Sequence, residues 1–169
     1  MSFAKMLGVV GAMAGTASLA LYLTRQKREV EPGVQREYEE CVFDQVNRAR
    51  RSHGLSEVAR DPELDDMGHR YAGLMKKTGR FAHRIDGRSV GDRFDAYGID
   101  YSRAAENLQR NDFDDCESAC METVWGSGGW MQSKLGHREA MLDPSYEKAG
   151  VGVDDDGRSW HVAMYFRKV

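Results

Sequence analysis

Apolar and polar positions divide the chain into an apolar leader and an amphipathic remainder. Residues 7–24 are almost all apolar or small, with Lys5 before them and Arg25, Lys27 and Arg28 after them. As a helix this run would rise roughly 27 Å, close to the ~30 Å of a bilayer's hydrocarbon core. Residues 1–28 are therefore expected to be a hydrophobic N-terminal helix that anchors the chain in a membrane. The rival is a cleaved signal segment ending at Ser18-Leu19-Ala20, but the apolar run continues through Leu21, Tyr22 and Leu23, past the point where such a region stops. Residues 29–33, ending in Pro32-Gly33, read as a linker.

Helical periodicity begins after that linker. Val34, Tyr38, Cys41, Val42, Gln45, Val46 and Ala49 form one stripe, which predicts a helix over 34–52 with Arg36, Glu40, Arg48 and Arg51 on its solvated face. Asp61-Pro62-Glu63 is a helix start, with a capping side chain, proline in the first turn and an early acid. Leu64, Met67, Tyr71, Leu74 and Met75 continue it to about residue 78, where Gly79 breaks it. A short helix over 90–97 should turn Val90, Phe94 and Tyr97 inward, and a further one over about 115–125 ends at Gly126-Ser127-Gly128-Gly129. Residues 147–153 and 158–166 read as two strands joined at Asp154-Asp155-Asp156-Gly157, a hairpin turn. In the second strand Trp160, Val162, Met164 and Phe166 alternate with His161, Ala163 and Tyr165, which predicts one apolar face and one mixed face. Helices followed by a hairpin, with further strand from the middle of the chain, give an α+β sandwich over 34–169.

Composition narrows the partners. Mean hydropathy is -0.63 despite the apolar leader, so the remainder is strongly hydrophilic, with the size of one compact domain. A net charge of -3 lacks the positive field that dominates nucleic-acid binding, so no nucleic-acid partner is expected. Three cysteines leave one thiol unpaired within the monomer. Cys116 and Cys120 would share a helix face at the edge of disulfide reach, but all three cysteines, Cys41 included, read first as small buried hydrophobes.

The candidate chemistry lies in three separated stretches. Phe81-Ala82-His83 follows the second helix, Ala104-Ala105-Glu106-Asn107-Leu108 lies in mid-chain, and Gly136-His137-Arg138 opens an apolar segment at a glycine break. Imidazole nitrogens ligate zinc and related ions, and a nearby carboxylate either ligates or orients the ring. The same groups suit general acid/base work near neutral pH. His83, Glu106 and His137 are therefore the candidate catalytic and metal-binding residues, and a divalent cation such as zinc is the candidate cofactor. The remaining histidines read as bystanders: His53 at a helix end, His69 on the surface, and His161 half exposed in a strand. Gly87-Arg88-Ser89-Val90-Gly91 matches a nucleophile-elbow pattern but lacks the buried strand that must precede it.

Those stretches resemble the CAP superfamily, or SCP domains, and in particular its prokaryotic branch. The other segments carrying the resemblance are Val46-Asn47-Arg48-Ala49-Arg50, Asp61-Pro62-Glu63-Leu64, Trp130-Met131-Gln132-Ser133 and Gly150-Val151-Gly152-Val153. The resemblance implies an α-β-α sandwich. It also implies export, whereas the Lys and Arg bias on the C-terminal flank of residues 7–24 would leave the domain in the cytosol. Following the family, the protein is expected to be membrane-anchored with its domain outside the cytoplasm, or secreted. Many eukaryotic CAP domains carry two His and two Glu; here Ser133 stands where the second Glu is expected, so the tetrad is incomplete.

Three functions remain open on these grounds. The first is a binding domain whose His/Glu cavity takes a divalent ion or the polar group of a lipid, sterol, peptide or glycan. The second is a metal- or histidine-dependent hydrolase, and the third is a structural or interaction module without a metal. The first is preferred, and the chain is read as more a binder than an enzyme.

Overall fold

The computed structural model describes residue 31 and residues 33–169, so the apolar run at 7–24 lies outside the described residues. Along the chain run α1 (Val34–Ser52), β1 (Ala59–Arg60), α2 (Pro62–Thr78), α3 (Val90–Tyr97) and β2 (Arg103–Asn111). They are followed by α4 (Cys116–Trp125), a 3-10 turn (Trp130–Gln132), α5 (His137–Leu142), β3 (Lys148–Asp155) and β4 (Trp160–Lys168).

Alternation along β4 decides how the layers stack. Trp160, Val162, Met164 and Phe166 pack with Tyr38, Val42, Val46 and Ala49 of α1, Ala119, Cys120 and Val124 of α4, and Met141 of α5. Ala163 and Tyr165 point the other way, into a second core with Leu64, Met67, Tyr71 and Met75 of α2 and Phe94 of α3. The result is an α-β-α sandwich around a four-stranded sheet ordered β1-β3-β4-β2, in which β1 runs parallel to β3 and the other neighbours are antiparallel. Among the described residues no helix is long and apolar enough to cross a membrane.

Local chemistry places the helix ends where the sequence expects them. Asp61 caps α2 by accepting from the Glu63 backbone N–H at 3.1 Å, and Asp115 caps α4 through Ser118 N–H at 2.7 Å. Ser89 and Asp92 cap α3 reciprocally, as a capping box. Gly79, with φ 67°, ends α2 in the left-handed region. At mid-helix α2 meets β3 backbone to backbone. A Cβ on Gly68 would lie 2.4 Å from Gly152 N, and one on Gly152 would lie 1.9 Å from His69 N. Glycine is required at this crossing by lack of space, and the closeness fixes where the end of α2 delivers the chain.

Much of the Val46–Arg50 motif and of the Asp61–Glu63 motif is structural. Asn47 brackets Val58, donating to its C=O at 3.1 Å and accepting from its N–H at 3.0 Å. The buried Arg50 guanidinium donates to Met141 O at 2.7 Å and Asp143 O at 3.0 Å, clasping the end of α5. Arg167 on β4 likewise donates to Asp61 Oδ2 at 2.8 Å and Glu63 Oε2 at 2.9 Å.

Several sequence expectations need correction. Cys41 and Cys120 are joined by a disulfide that staples α1 to α4, with their Cα atoms 6.1 Å apart, and Cys116 is the free thiol. One-dimensional spacing could not reveal this, because the helices meet only through the tertiary fold. His161 is 1% exposed, since β4 is covered on both faces. Tyr97 at the end of α3 is 40% exposed and packs outside, under Arg70. Trp130, by contrast, lies in the core as expected of it, fully buried with its Nε1 donating to Leu108 O at 2.9 Å.

Candidate functional site

β2 is an outer strand of the sheet, and the site is built across it. On one side the turn after α2 brings in His83. Tyr71 pins that turn, its hydroxyl donating to Ala82 O at 2.7 Å and accepting from Ile85 N–H at 3.2 Å. On the other side Gly136, at φ 104°, opens α5 and places His137 as its first residue. Asn107 of β2 holds that end by donating to His137 O at 2.9 Å. Glu106 and Asn107 are neighbours on a strand and so face opposite sides, which lets one strand serve both loops. The two imidazole rings meet with centroids 6.0 Å apart.

Glu106 is the fixed point of this arrangement. Its side chain is fully buried, whereas that of His83 is 52% exposed. Oε1 accepts from His83 Nδ1 at 2.7 Å. Oε2 accepts from Tyr165 Oη at 2.5 Å and from Arg93 Nη1. With Nδ1–H committed to a carboxylate, the lone pair of neutral His83 sits on Nε2, the nitrogen that does not face Glu106.

Arg93 and Tyr165 complete the support. The Arg93 guanidinium also donates to Tyr165 Oη and Asp86 Oδ2, each at 3.0 Å, and to the His83 carbonyl, and it lies 3.9 Å over the Tyr71 ring. Burial works against its charge, but the facing Tyr165, Glu106 and Asp86 more than offset this and hold its pKa above the ordinary value. Burial and the neighbouring Glu106 carboxylate push the Tyr165 hydroxyl up strongly, so it remains a donor. Burial, and then the neighbouring His83, lower the pKa of His137 and favour its neutral ring.

The structure thus brings His83, Glu106 and His137 together. It adds Arg93, Tyr165, Tyr71 and Asp86, which the sequence reading did not single out. Tyr165 lies on the mixed face of β4, opposite Glu106 in the strand register, and that register was the signal available. Among the described residues no group of three or more His, Cys, Asp or Glu side chains is disposed to hold a metal ion. Ser133, where a second glutamate was sought, accepts from Leu135 N–H at 3.1 Å and helps form the turn before His137. Glu139 is exposed on α5.

A second carboxylate–imidazole pair lies elsewhere. His69 is more than a surface residue: it bonds to buried Glu39 Oε1 at 2.6 Å, and the same oxygen accepts from Val153 N–H at 3.0 Å. The pair lines a groove of about 780 Å³ between α1, β1 and α2.

Residues 43–166 match the model of the cysteine-rich secretory protein family, CAP. The chain belongs to the CAP family. As a CAP domain it is 31% identical over 122 residues to the "Uncharacterized membrane protein YlbC" of Bacillus subtilis, an alignment covering 72% of this chain and 33% of that protein. Among solved structures, an extracellular protein containing an SCP domain from Bacillus anthracis is similar with TM-score 0.69 and 24% identity, over 83% of this chain and 45% of that one. An outer surface protein of Borrelia burgdorferi is similar with TM-score 0.70 and 16% identity, over 85% of this chain and 98% of that one. The chain therefore spans a third of YlbC and under half of the Bacillus anthracis protein, whereas the Borrelia burgdorferi protein is similar over nearly its whole length.

Proposed function

We propose that this CAP domain works outside the cytoplasm as a binding module, and that the His83–His137 pair takes a divalent cation, zinc above all, or the polar group of a small ligand. The observation that carries the reading is the bond from His83 Nδ1 to buried Glu106, which leaves Nε2 as a lone-pair donor 6.0 Å, ring to ring, from His137. A carboxylate behind an imidazole raises the ring's basicity and fixes its orientation, the usual support for a metal-bound histidine. The lowered pKa of His137 favours its neutral, ligating form at pH 7. Two imidazoles fit a weakly held ion whose remaining positions belong to water or to a ligand. Glu106 acts here as a positioning residue, since His83, Arg93 and Tyr165 already engage its oxygens.

The Cys41–Cys120 disulfide supports an oxidising location, as do the words "membrane" and "extracellular" in the names of the relatives. Residues 7–24 would then tether the domain to the membrane.

Zinc titration of the full chain tests the reading. Wild type should bind zinc, and His83→Ala and His137→Ala should each lose at least about tenfold in affinity, the loss typical when part of a metal site is removed. Equal binding by all three proteins would remove the metal reading.

A further inference from the structure

The outer edge of β3 is only partly paired. β1 runs beside its first two residues, with Ala59 and Arg60 in register with Lys148 and Ala149, and Asp61 N–H donates to Ala149 O at 2.9 Å. The chain then leaves the sheet for α2, and the outward-facing N–H groups that follow on β3 meet carboxylates instead of a strand. Val151 N–H donates to Asp65 Oδ1 at 2.8 Å, Val153 N–H to Glu39 Oε1 at 3.0 Å, and Asp155 N–H to Oδ1 of its neighbour Asp154 at 2.8 Å. A basic side chain holds each cap in turn. Arg60 Nε lies 2.7 Å from Asp65 Oδ1, His69 Nε2 2.6 Å from Glu39 Oε1, and Lys76 Nζ 2.7 Å from Asp154 Oδ1. Side-chain oxygens from α2, α1 and β3 itself therefore stand where the carbonyls of a continuing strand would be.

Carboxylates placed in this way also guard an edge against chance pairing. Here the groove of about 780 Å³ lies over them: Asp65 and Glu39 line it, together with Glu40, Asp44 and Phe43 of α1. Four carboxylates in its walls face two guanidiniums, Arg36 and Arg60, and the imidazole of His69, so the groove favours a cationic occupant. A guanidinium already fits there, since Arg60 joins Asp65 with its Cζ 4.8 Å over the Phe43 ring. We propose that this edge docks an extended basic peptide of another protein, which adds as a strand beside residues 151–155 where β1 leaves off. Its carbonyls take the Val151 and Val153 N–H groups, and its lysine or arginine side chains pair with the carboxylates released from those bonds, so hydrogen bonds are exchanged rather than lost. The edge lies across the sheet from β2 and its imidazole pair, and docking there needs no metal.

The test is an NMR titration of the ¹⁵N-labelled full chain, carried in phosphatidylcholine nanodiscs, with acetyl-Lys-Val-Lys-Val-Lys-amide. The Val151 and Val153 amide signals should shift as their acceptors change, and more than those of Gly150 and Gly152, which pair toward β4. The same peptide N-methylated at every residue keeps its charge but cannot donate to a strand, and it should bind at least about tenfold more weakly. Acetyl-Glu-Val-Glu-Val-Glu-amide should not bind. Glu40→Lys with Asp44→Lys, both exposed on α1, should weaken the basic peptide at least about tenfold while leaving the two cores untouched. No binding of the basic peptide, equal affinity for its N-methylated form, or affinity unchanged in the double variant would overturn the proposal. So would a peptide that binds only after Arg25, Lys27 and Arg28 are all replaced by Gln, since the edge would then belong to this chain's own basic segment.

Discussion

His83 Nδ1 and Glu106 Oε1 lie 2.7 Å apart, and the pair spans the boundary between core and solvent: the carboxylate side chain is fully buried and the ring is half exposed. A buried charge must be compensated, and Arg93 and Tyr165 do this from within. His83 is thereby attached to the core through an ionic and hydrogen-bonded chain, although its loop runs over the surface. This is how an exposed imidazole is held in one orientation.

The first prediction concerns that chain. Glu106→Gln keeps the shape but leaves the 1%-exposed Arg93 side chain without its buried partner. Removing one member of such a pair costs about 3 kcal/mol, against roughly zero for replacing both with apolar groups. An unfolding free energy lowered by that amount, read as a lower urea midpoint at unchanged slope, together with weakened zinc binding, is expected. An unchanged midpoint would show that Glu106 does not anchor the loop.

His69 supplies a pH test independent of the site. Its bond to Glu39, chiefly, raises its pKa, and the nearby charges of Glu39, Asp65 and Asp66 add to this against burial. A raised histidine stabilises the fold fully below its unfolded value of about 6.5 and loses that contribution as pH climbs through the folded value. The ring is 48% exposed, so solvent screening keeps the effect near 0.5 kcal/mol. Wild type should exceed His69→Gln in stability by this margin at pH 5.5 and by less at pH 8.5. A difference constant across that range would contradict the assignment.

The disulfide closes a loop with a sequence separation of 79 residues. On the chain-entropy account such a closure stabilises by up to about 4.5 kcal/mol. Cys41→Ser with Cys120→Ser should lower stability by roughly 2–4 kcal/mol, and reduction of wild type should do the same. Cys116→Ser should leave the reduction-sensitive component intact. A Cys116→Ser protein that no longer responds to reductant would point to a different pairing.

Much of the fold was legible because its periodicities are strong. The stripe from Tyr38 to Ala49 and the alternation from Trp160 to Phe166 each name their buried face. Asp61-Pro62 marks a helix start, and Asp156-Gly157 a hairpin turn, through backbone chemistry that acts within a few residues; the turn falls at 156–159, two residues later than expected, because Asp154 and Asp155 pair with His161 and Trp160. What escaped is what only three dimensions create. Arg93 reads in sequence as a polar position of a short helix, yet it is 1% exposed because it bridges Glu106, Tyr165 and Asp86. Cys41 and Cys120 meet only when α1 packs on α4. His161 reads as half exposed because alternation cannot show that the mixed face is also covered. Gly150 and Gly152 looked like a strand signature; their role is to let the α2 backbone approach β3.

The most direct measurement of the central claim is long-range ¹⁵N NMR of the full chain labelled at histidine, followed through a zinc titration at pH 7. The structure predicts that His83 begins as the Nδ1–H tautomer and that its Nε2 signal shifts with zinc together with a ring nitrogen of His137. Acidification through the lowered pKa of His137 should release the ion. A His83 found as the Nε2–H tautomer, or zinc that shifts neither ring, would contradict it.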